Sequence, residues 1–360
     1  MEHFSCKTEI YMGPGSLKSL KDLVKGRLLV VCDPFFMENG KAKELAELSG
    51  AAEKAYFSEV KPDPDVTLAA KGAALVQSFM PDGVVALGGG STLDCAKAML
   101  YFSGVEATLI AVPTTSGSGS EVTDFAILTH NGVKHPLVDE KLLPKAAILD
   151  GELLANLPRP LIADGGFDAI SHALEALAAT KAGPITDALA TDSFCGVYHN
   201  LGQSFAGNAA VRQTVHNASC MAGLAFSQAG LGLCHAASHA LGGMFHIPHG
   251  RINAILLPAV ISLNAPAAGK KYAALSRNAG LGGAVENMGV RNLKNALVRL
   301  RRELKLPGTL ADAGISPVRL RENRENLVNA ILKDPCCQTN PVKVDKALAV
   351  RLINEVAGNG

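Results

Sequence analysis

The first half of the chain alternates short aliphatic runs with longer amphipathic stretches. LLVVCD (28–33), AYFSEV (55–60), GVVALGGGS (83–91) and TLIAVPTT (108–115) read as strands that end in turn chemistry. Apolar residues at helical spacing fill 65–79 and 92–102. Near-continuous apolar strands separated by helices predict a parallel sheet covered on both faces. Around ILTHNGVKHP (127–136) the pattern becomes a hairpin, with Asn131-Gly132 as its turn. Beyond about residue 155 the texture changes. Residues 187–201, 208–228 and 293–303 carry helical spacing with few β-branched clusters, which predicts an all-helical region. The expected organisation is an α/β domain over 1–157 and an all-α domain over 158–360. The glycine-rich segment 276–290 points to no particular element.

Bulk properties narrow the classes. At 360 residues the chain is long enough for two domains, each burying a sizeable core. With 48% hydrophobic and 19% charged residues it is a compact protein, not a disordered one. A net charge of +1 gives no electrostatic basis for nucleic acid or an anionic membrane. No run of about 20 apolar residues suggests a membrane span. The opening MEHFSCKTEIYMG lacks the apolar run of a signal peptide. The eight cysteines are scattered without CxxC spacing, and Cys336-Cys337 is vicinal; this predicts free thiols and a reducing, cytoplasmic setting.

Histidines concentrate the candidate chemistry. GLGLCHAASHALGGMFHIPHG (230–250) holds four of the ten. His235 and His239 stand at i, i+4 and share a face if helical. Gly242-Gly243 is expected to break that helix, and His249 in Pro-His-Gly to open the next segment. Upstream, Asp168 and His172 in FDAISHALEAL are again i, i+4. Either pair alone is more often an ordinary hydrogen bond or a satisfied core histidine. Both lie in Ala- and Gly-rich apolar surroundings, where a charge needs a partner. Asp168, His172, His235 and His249 could share a divalent first-row metal.

GGGSTLDCAK (88–97) follows an apolar strand and opens a helical stretch, a geometry in which backbone N–H groups and the helix dipole favour a phosphate. It is not GxGxxG, and the acidic residue about 20 positions later is missing. Ser91 and Asp94 also have the spacing of a purely structural capping pair. PTTSGSGSEVT (113–123) follows the next strand, so both loops should emerge at the sheet edge where ligands bind. Thr114, Thr115, Ser116 and Ser118 offer hydroxyls there; the alternative is a flexible linker. Asp33, ending the first strand, could accept from a ribose 2′-OH and would repel a 2′-phosphate, favouring NAD over NADP; otherwise it is a loop residue before Pro34.

With these motifs assembled, the chain resembles the iron-containing (group III) alcohol dehydrogenases over its whole length. The likeness rests on GGGS-x-x-D-x-A-K, PTTSG-x-GSEVT, D-x-x-x-H-A-x-E and H-x3-H…PHG. FSCKTEIYMGPGSL, the histidine-rich stretch and the tail TNPVKV are similar to a subgroup associated with propanediol-utilisation microcompartments. The resemblance implies a dehydroquinate synthase-like α/β domain followed by an all-α domain. It implies Asp168, His172, His235 and His249 as ligands of Fe(II), with Zn(II) able to replace it, and His239 beside the metal as a proton relay. Gly89, Gly90, Ser91, Thr92 and Leu93 match the pyrophosphate loop of NAD(H). Thr114, Thr115, Gly117, Ser118 and Thr123 match a second cofactor loop, Lys134 a lysine that reaches the cofactor, and Asp33 the ribose acid. Two departures stand out: ADGGF before Asp168, and Asp63 where relatives often carry Asn near the adenosine.

The implied reaction is hydride transfer between NAD(H) and a short primary alcohol or aldehyde, propanal and 1-propanol in particular, with the metal as Lewis acid. Phe167, Phe245 and Ile247 flank the ligands, and the one adjoining cation is Arg251, so carboxylate substrates are disfavoured. A homo-oligomer, microcompartment shell or cargo partners, and a location inside such a compartment are further expectations. A zinc-dependent glycerol-type dehydrogenase and a dehydroquinate synthase-like lyase are the rival readings. The complete ligand set argues against the first, and the scarcity of basic residues against the second.

Overall fold

The computed structural model describes residues 4–130 and 133–358. Two compact units are present, one spanning Ser5–Leu157 and the other built on Pro158–Gly360.

The first unit is a six-stranded parallel sheet. Its strands are β1 (Glu9–Met12), β2 (Arg27–Cys32), β3 (Glu53–Phe57), β4 (Gly83–Gly88) and β5 (Thr108–Pro113), with β6 (Phe125–His130) and β7 (Val133–Val138) forming a separate antiparallel pair and β8 (Ala146–Leu149) closing the set. The sheet order is β1-β8-β5-β4-β2-β3. Period-two alternation assigns each strand residue to a face. Leu28, Val30, Cys32, Val85, Leu87, Ile110 and Val112 pack into one core. Leu29, Val31, Val84, Ala86, Leu109 and Ala111 pack into the other, with Val76, Leu93, Ala96 and Met99 from the helices Val66–Phe79 and Gly90–Ser103. Both faces of the central strands are thus buried, which is why their sequence reads as unbroken apolar runs.

The edges are less legible. AYFSEV (55–60) contributes β3 only to Phe57, because pairing with β2 sets the register from Arg27↔Glu53 to Val31↔Phe57. β1 and β8 pair with each other at the opposite side, β1 as a half-exposed edge strand and β8 as a short buried AAIL run between β1 and β5. In the β6–β7 hairpin, Phe125 pairs with Val138 and His130 with Val133; the predicted Asn131-Gly132 turn lies outside the described residues.

From Pro158 onward the described elements are helical. The chief ones are Arg159–Ala178, Pro184–Ala206, Arg212–Ala229, Leu233–Phe245, His249–Asn278 and Glu286–Glu303. Gly242-Gly243 does not interrupt its helix. Leu233–Phe245 runs through both glycines and stops at His246, whose φ of 57° is left-handed. The 276–290 segment is the end of one helix, a turn through Gly280, Gly282 and Gly283 at positive φ, and the start of the next. His249–Asn278 is long and apolar enough to cross a membrane, yet 78% of its apolar window is buried in the protein, as expected of a core helix. Among the described residues no cysteine is joined in a disulfide.

Candidate metal centre and glycine-rich turn

Helical spacing places Asp168, His172 and Glu175 of the Arg159–Ala178 helix on one face at i, i+4 and i+7. His235 rises from the first turn of Leu233–Phe245, and His249 is the first residue of His249–Asn278. A Cβ on Gly250 would collide with the Asp164 carbonyl, so glycine there lets the helix carrying His249 approach the one carrying Asp168. Arg251 locks the same contact, with Nε and Nη2 donating to the Asp164 carboxylate at 3.2 and 3.0 Å.

Three imidazoles converge on one oxygen. Asp168 Oδ1 lies 3.5 Å from His249 Nε2, 3.8 Å from His235 Nε2 and 3.9 Å from His172 Nε2. Donor atoms of Asp168, His235 and His249 all fall within 4.8 Å of one another. The His172 ring stacks on that of His235, centroids 4.5 Å apart. These separations are too long for good hydrogen bonds and close to the edge, about 3.4 Å, of a tetrahedron with metal–ligand bonds of about 2.1 Å. His235 Nε2 is buried with no hydrogen-bond partner, a costly state for a polar atom. A cation bound among the four residues would satisfy it, so the donor set fits a metal.

Burial works to raise the Asp168 pKa, but the surrounding imidazoles outweigh it and hold the carboxylate well below its usual range. Burial and the neighbouring imidazoles push His249 well down, despite the opposing pull of Asp168. For His235, burial is overcome by Asp168 and Glu175, and the ring rises to about 9.

Several supporting residues escaped sequence reasoning. Buried Glu175 accepts from His235 Nδ1 at 2.7 Å and from the backbone N–H groups of Gly232, Cys234 and His235. Asn340 accepts from Leu233 N at 3.0 Å, so the first four N–H groups at this helix terminus are all partnered. Asn253 Nδ2 donates to Asp168 Oδ1 at 2.9 Å. Asp334 accepts from Nδ1 of the expected His239 at 2.9 Å, and that part-exposed ring stacks on His249. The only available signals were Glu175 in the i+7 position and the Asn of the TNP tail. Phe167 is fully buried and belongs to the packing, while Phe245 lies under the Arg319 guanidinium.

In the α/β unit, β2, β4 and β5 are adjacent and deliver Asp33, the 88–93 turn and the 114–118 loop to one sheet edge. The chain leaves β2 towards β3 on one side and β4 towards β5 on the other, the switch point at which such sheets bind ligands. Ser91 and Asp94, whose spacing also allowed a structural capping pair, do not form one. Gly89 is the N-cap of Gly90–Ser103 and no side chain occupies the terminus, which leaves its first N–H groups for an anion. A Cβ at Gly90 would press on Ser118, and one at Gly89 on Thr115, so glycines let the two loops meet. Thr92 and Leu93 are buried, and their N–H groups already donate to the Gly89 carbonyl at 2.9 and 3.1 Å, so they shape the terminus.

Asp94 instead accepts from Ser120 Oγ at 2.7 Å and Ile127 N at 2.9 Å. Lys97 Nζ donates to the carbonyls of Thr123 and Phe125, both at 2.8 Å, and to Thr123 Oγ1 at 3.2 Å. Thr123, expected at the cofactor, is therefore fully buried and braces the loop from behind. Asp33 caps the Pro34–Glu38 helix through Phe36 N, and burial raises its pKa. Asp63 donates its N–H to Ser91 Oγ at 3.3 Å and pairs with Lys134 at 2.6 Å.

The comparisons match this geometry. Residues 7–151 match the iron-containing alcohol dehydrogenase family, and 162–357 the C-terminal domain of the Fe-containing alcohol dehydrogenase family. The chain is 40% identical to 1-propanol dehydrogenase PduQ of Citrobacter freundii, covering 99% of this chain and all of the relative. It is 35% identical to an NADPH-dependent butanol dehydrogenase of Clostridium saccharobutylicum, covering 96% and 95%. The sulfoacetaldehyde reductase of Bifidobacterium kashiwanohense, solved in complex with NAD+, superposes over the whole of both chains with a TM-score of 0.91 at 26% identity. Matched along nearly its full length in sequence and in fold, the chain belongs to the iron-containing alcohol dehydrogenase family.

Proposed function

We propose that this enzyme interconverts short aliphatic aldehydes and primary alcohols with NAD(H), reducing propanal to 1-propanol. The observation that carries the reading is the convergence of Asp168, His172, His235 and His249, with a buried ring nitrogen lacking any other partner. In this reading those four residues hold Fe(II). The bound metal supplies Lewis acidity towards the substrate oxygen and NAD(H) supplies or accepts the hydride.

The rest is assigned to the chain. Glu175 fixes the Nδ1–H tautomer of His235 and turns Nε2 inward. Gly89, Gly90, Ser91, Thr92 and Leu93 offer the pyrophosphate a helix terminus free of side-chain caps. Thr114, Thr115, Gly117 and Ser118 line the second loop, backed by Thr123, and Lys134 supplies a positive charge near Ser91. Asp33 receives the adenosine ribose and disfavours a 2′-phosphate. His239, oriented by Asp334, holds or passes the proton of the substrate hydroxyl. Arg251 is already paired with Asp164, so a substrate carboxylate would find no free cation there.

The test strips the metal with a chelator, reloads anaerobically with Fe(II) or Zn(II), and follows NADH oxidation with propanal, butanal and a keto acid. Fe(II) should restore the highest turnover, with the two aldehydes separated by about 1–3 kcal/mol at most. His249→Ala should lose more than the about 100-fold in metal affinity typical of a supporting residue. A keto acid winning by a wide margin, or His249→Ala retaining metal and turnover, would overturn the reading.

A further inference from the structure

Asp63 is set at the mouth of the glycine-rich turn by its own backbone. Its φ of 54° is left-handed, a region that Asn and Asp tolerate better than other side-chain-bearing residues. Its N–H donates to Ser91 Oγ, the hydroxyl on the first turn of the Gly90–Ser103 helix. The carboxylate is more than half exposed, and its partner is Lys134 Nζ at 2.6 Å on β7. The field of Lys134 is also felt at Asp94, in that same helix. A negative charge and the ammonium that neutralises it thus stand together beside N–H groups suited to a phosphate.

We infer that Asp63 limits the affinity of the site for the cofactor pyrophosphate: it ties up Lys134 in the free enzyme and opposes the incoming negative charge. This rests on the glycine-rich turn being the phosphate site. When a pyrophosphate enters, Lys134 has a second anion to serve, and the Asp63 carboxylate loses part of its partner. The pair is solvent-exposed on one side, so its cost to binding is modest and screened by salt. Asn at this position keeps the shape and the left-handed backbone while removing the charge. Gly does the same without a side chain.

The experiment measures binding of NADH by its fluorescence, and of ADP and adenosine by calorimetry, to wild type, Asp63→Asn and Asp63→Gly. Unchanged Tm establishes that each variant is folded, and either variant suffices. Both should bind NADH and ADP ~3–10-fold more tightly at low salt, with the gain shrinking at ~0.5 M salt. Adenosine, without phosphates, should bind all three alike. A merely structural role would move adenosine with ADP and would ignore salt. Variants that bind NADH and ADP no better than wild type, or more weakly because Asp63 presents Lys134 productively, overturn the inference alone. A wild type that binds neither NADH nor ADP overturns the phosphate-turn reading and the inference with it.

Discussion

Glu175 Oε2 accepts a hydrogen bond from His235 Nδ1 at 2.7 Å. A carboxylate has no proton to give, so Nδ1 carries a hydrogen, and Nε2 is the nitrogen left to ligate a metal once its own proton is displaced. The same carboxylate accepts three backbone N–H groups at the start of the helix bearing His235. One buried anion thereby fixes the helix terminus, the ring orientation and the ring tautomer.

Glu175→Gln should therefore impair metal retention without touching a proposed ligand. The amide is neutral, and one of its two ends can only donate, so backbone N–H groups lose acceptors. Iron affinity is expected to fall about 10–100-fold, with a stability loss on the order of 1–3 kcal/mol. Metal titration and thermal unfolding of the metal-free protein measure the two separately. Wild-type iron retention in this variant would contradict the role assigned to Glu175.

Lys97 gives a pH signature. Its ammonium is fully buried, and burial, only partly offset by Asp94, lowers its pKa to about 8. Below that pH the ammonium is charged in both folded and unfolded states, and the folded state bears the desolvation cost. Between about 8 and the unfolded value near 10.4 the unfolded chain binds more protons, so stability rises with pH. Relative to Lys97→Met, wild type should gain on the order of 1–3 kcal/mol from pH 7.5 to 10. Urea unfolding at both pH values checks this, and a flat difference would mean that Lys97 does not titrate there.

Asp33 has two jobs that one variant separates. Its side chain caps the Pro34–Glu38 helix, and in the proposed reading its charge selects against a 2′-phosphate. Asp33→Ser retains a capping oxygen and removes the charge. The NADH over NADPH preference in kcat/KM should narrow by at least tenfold, on the order of 1.4 kcal/mol, with Tm nearly unchanged. A wild type that prefers NADPH would remove Asp33 from that role.

Asp334→Asn should separate proton handling from metal binding. Burial works to raise the Asp334 pKa, but its hydrogen bond to His239 outweighs this and keeps the carboxylate low. The amide leaves His239 with a weaker, neutral partner. Turnover is expected to fall about 10–100-fold with iron content preserved and the pH profile of kcat displaced. Unchanged kcat and profile would leave His239 without a part in proton transfer.

The central strands were plain in the sequence because β2, β4 and β5 are buried on both faces and carry unbroken apolar runs. β1 and β3 were blurred or missed because an edge strand, packed on one side only, has no such run. The Asp168–His172 pairing was legible for the same local reason, since i, i+4 spacing places both residues on one helix face. Ser91–Asp94 had equally good local spacing, yet the burial of Asp94 against Ser120 and Ile127 decided otherwise. The Gly-Gly break failed because packing holds Leu233–Phe245 helical against the modest propensity cost of glycine.

By itself, then, the sequence determined the elements and the donor types: apolar period, glycine turns, and histidines and a carboxylate at helical spacing, all properties of neighbours within a few residues. The tertiary structure decided who meets whom. Glu175 reaches His235 across 60 residues, Asn253 reaches Asp168 across 85, Asp334 reaches His239 across 95, and Asn340 reaches Leu233 across 107. No periodicity extends over such distances. These pairings exist because helices carrying buried polar groups pack only in the arrangement that satisfies those groups, and that condition is set by the whole folded unit.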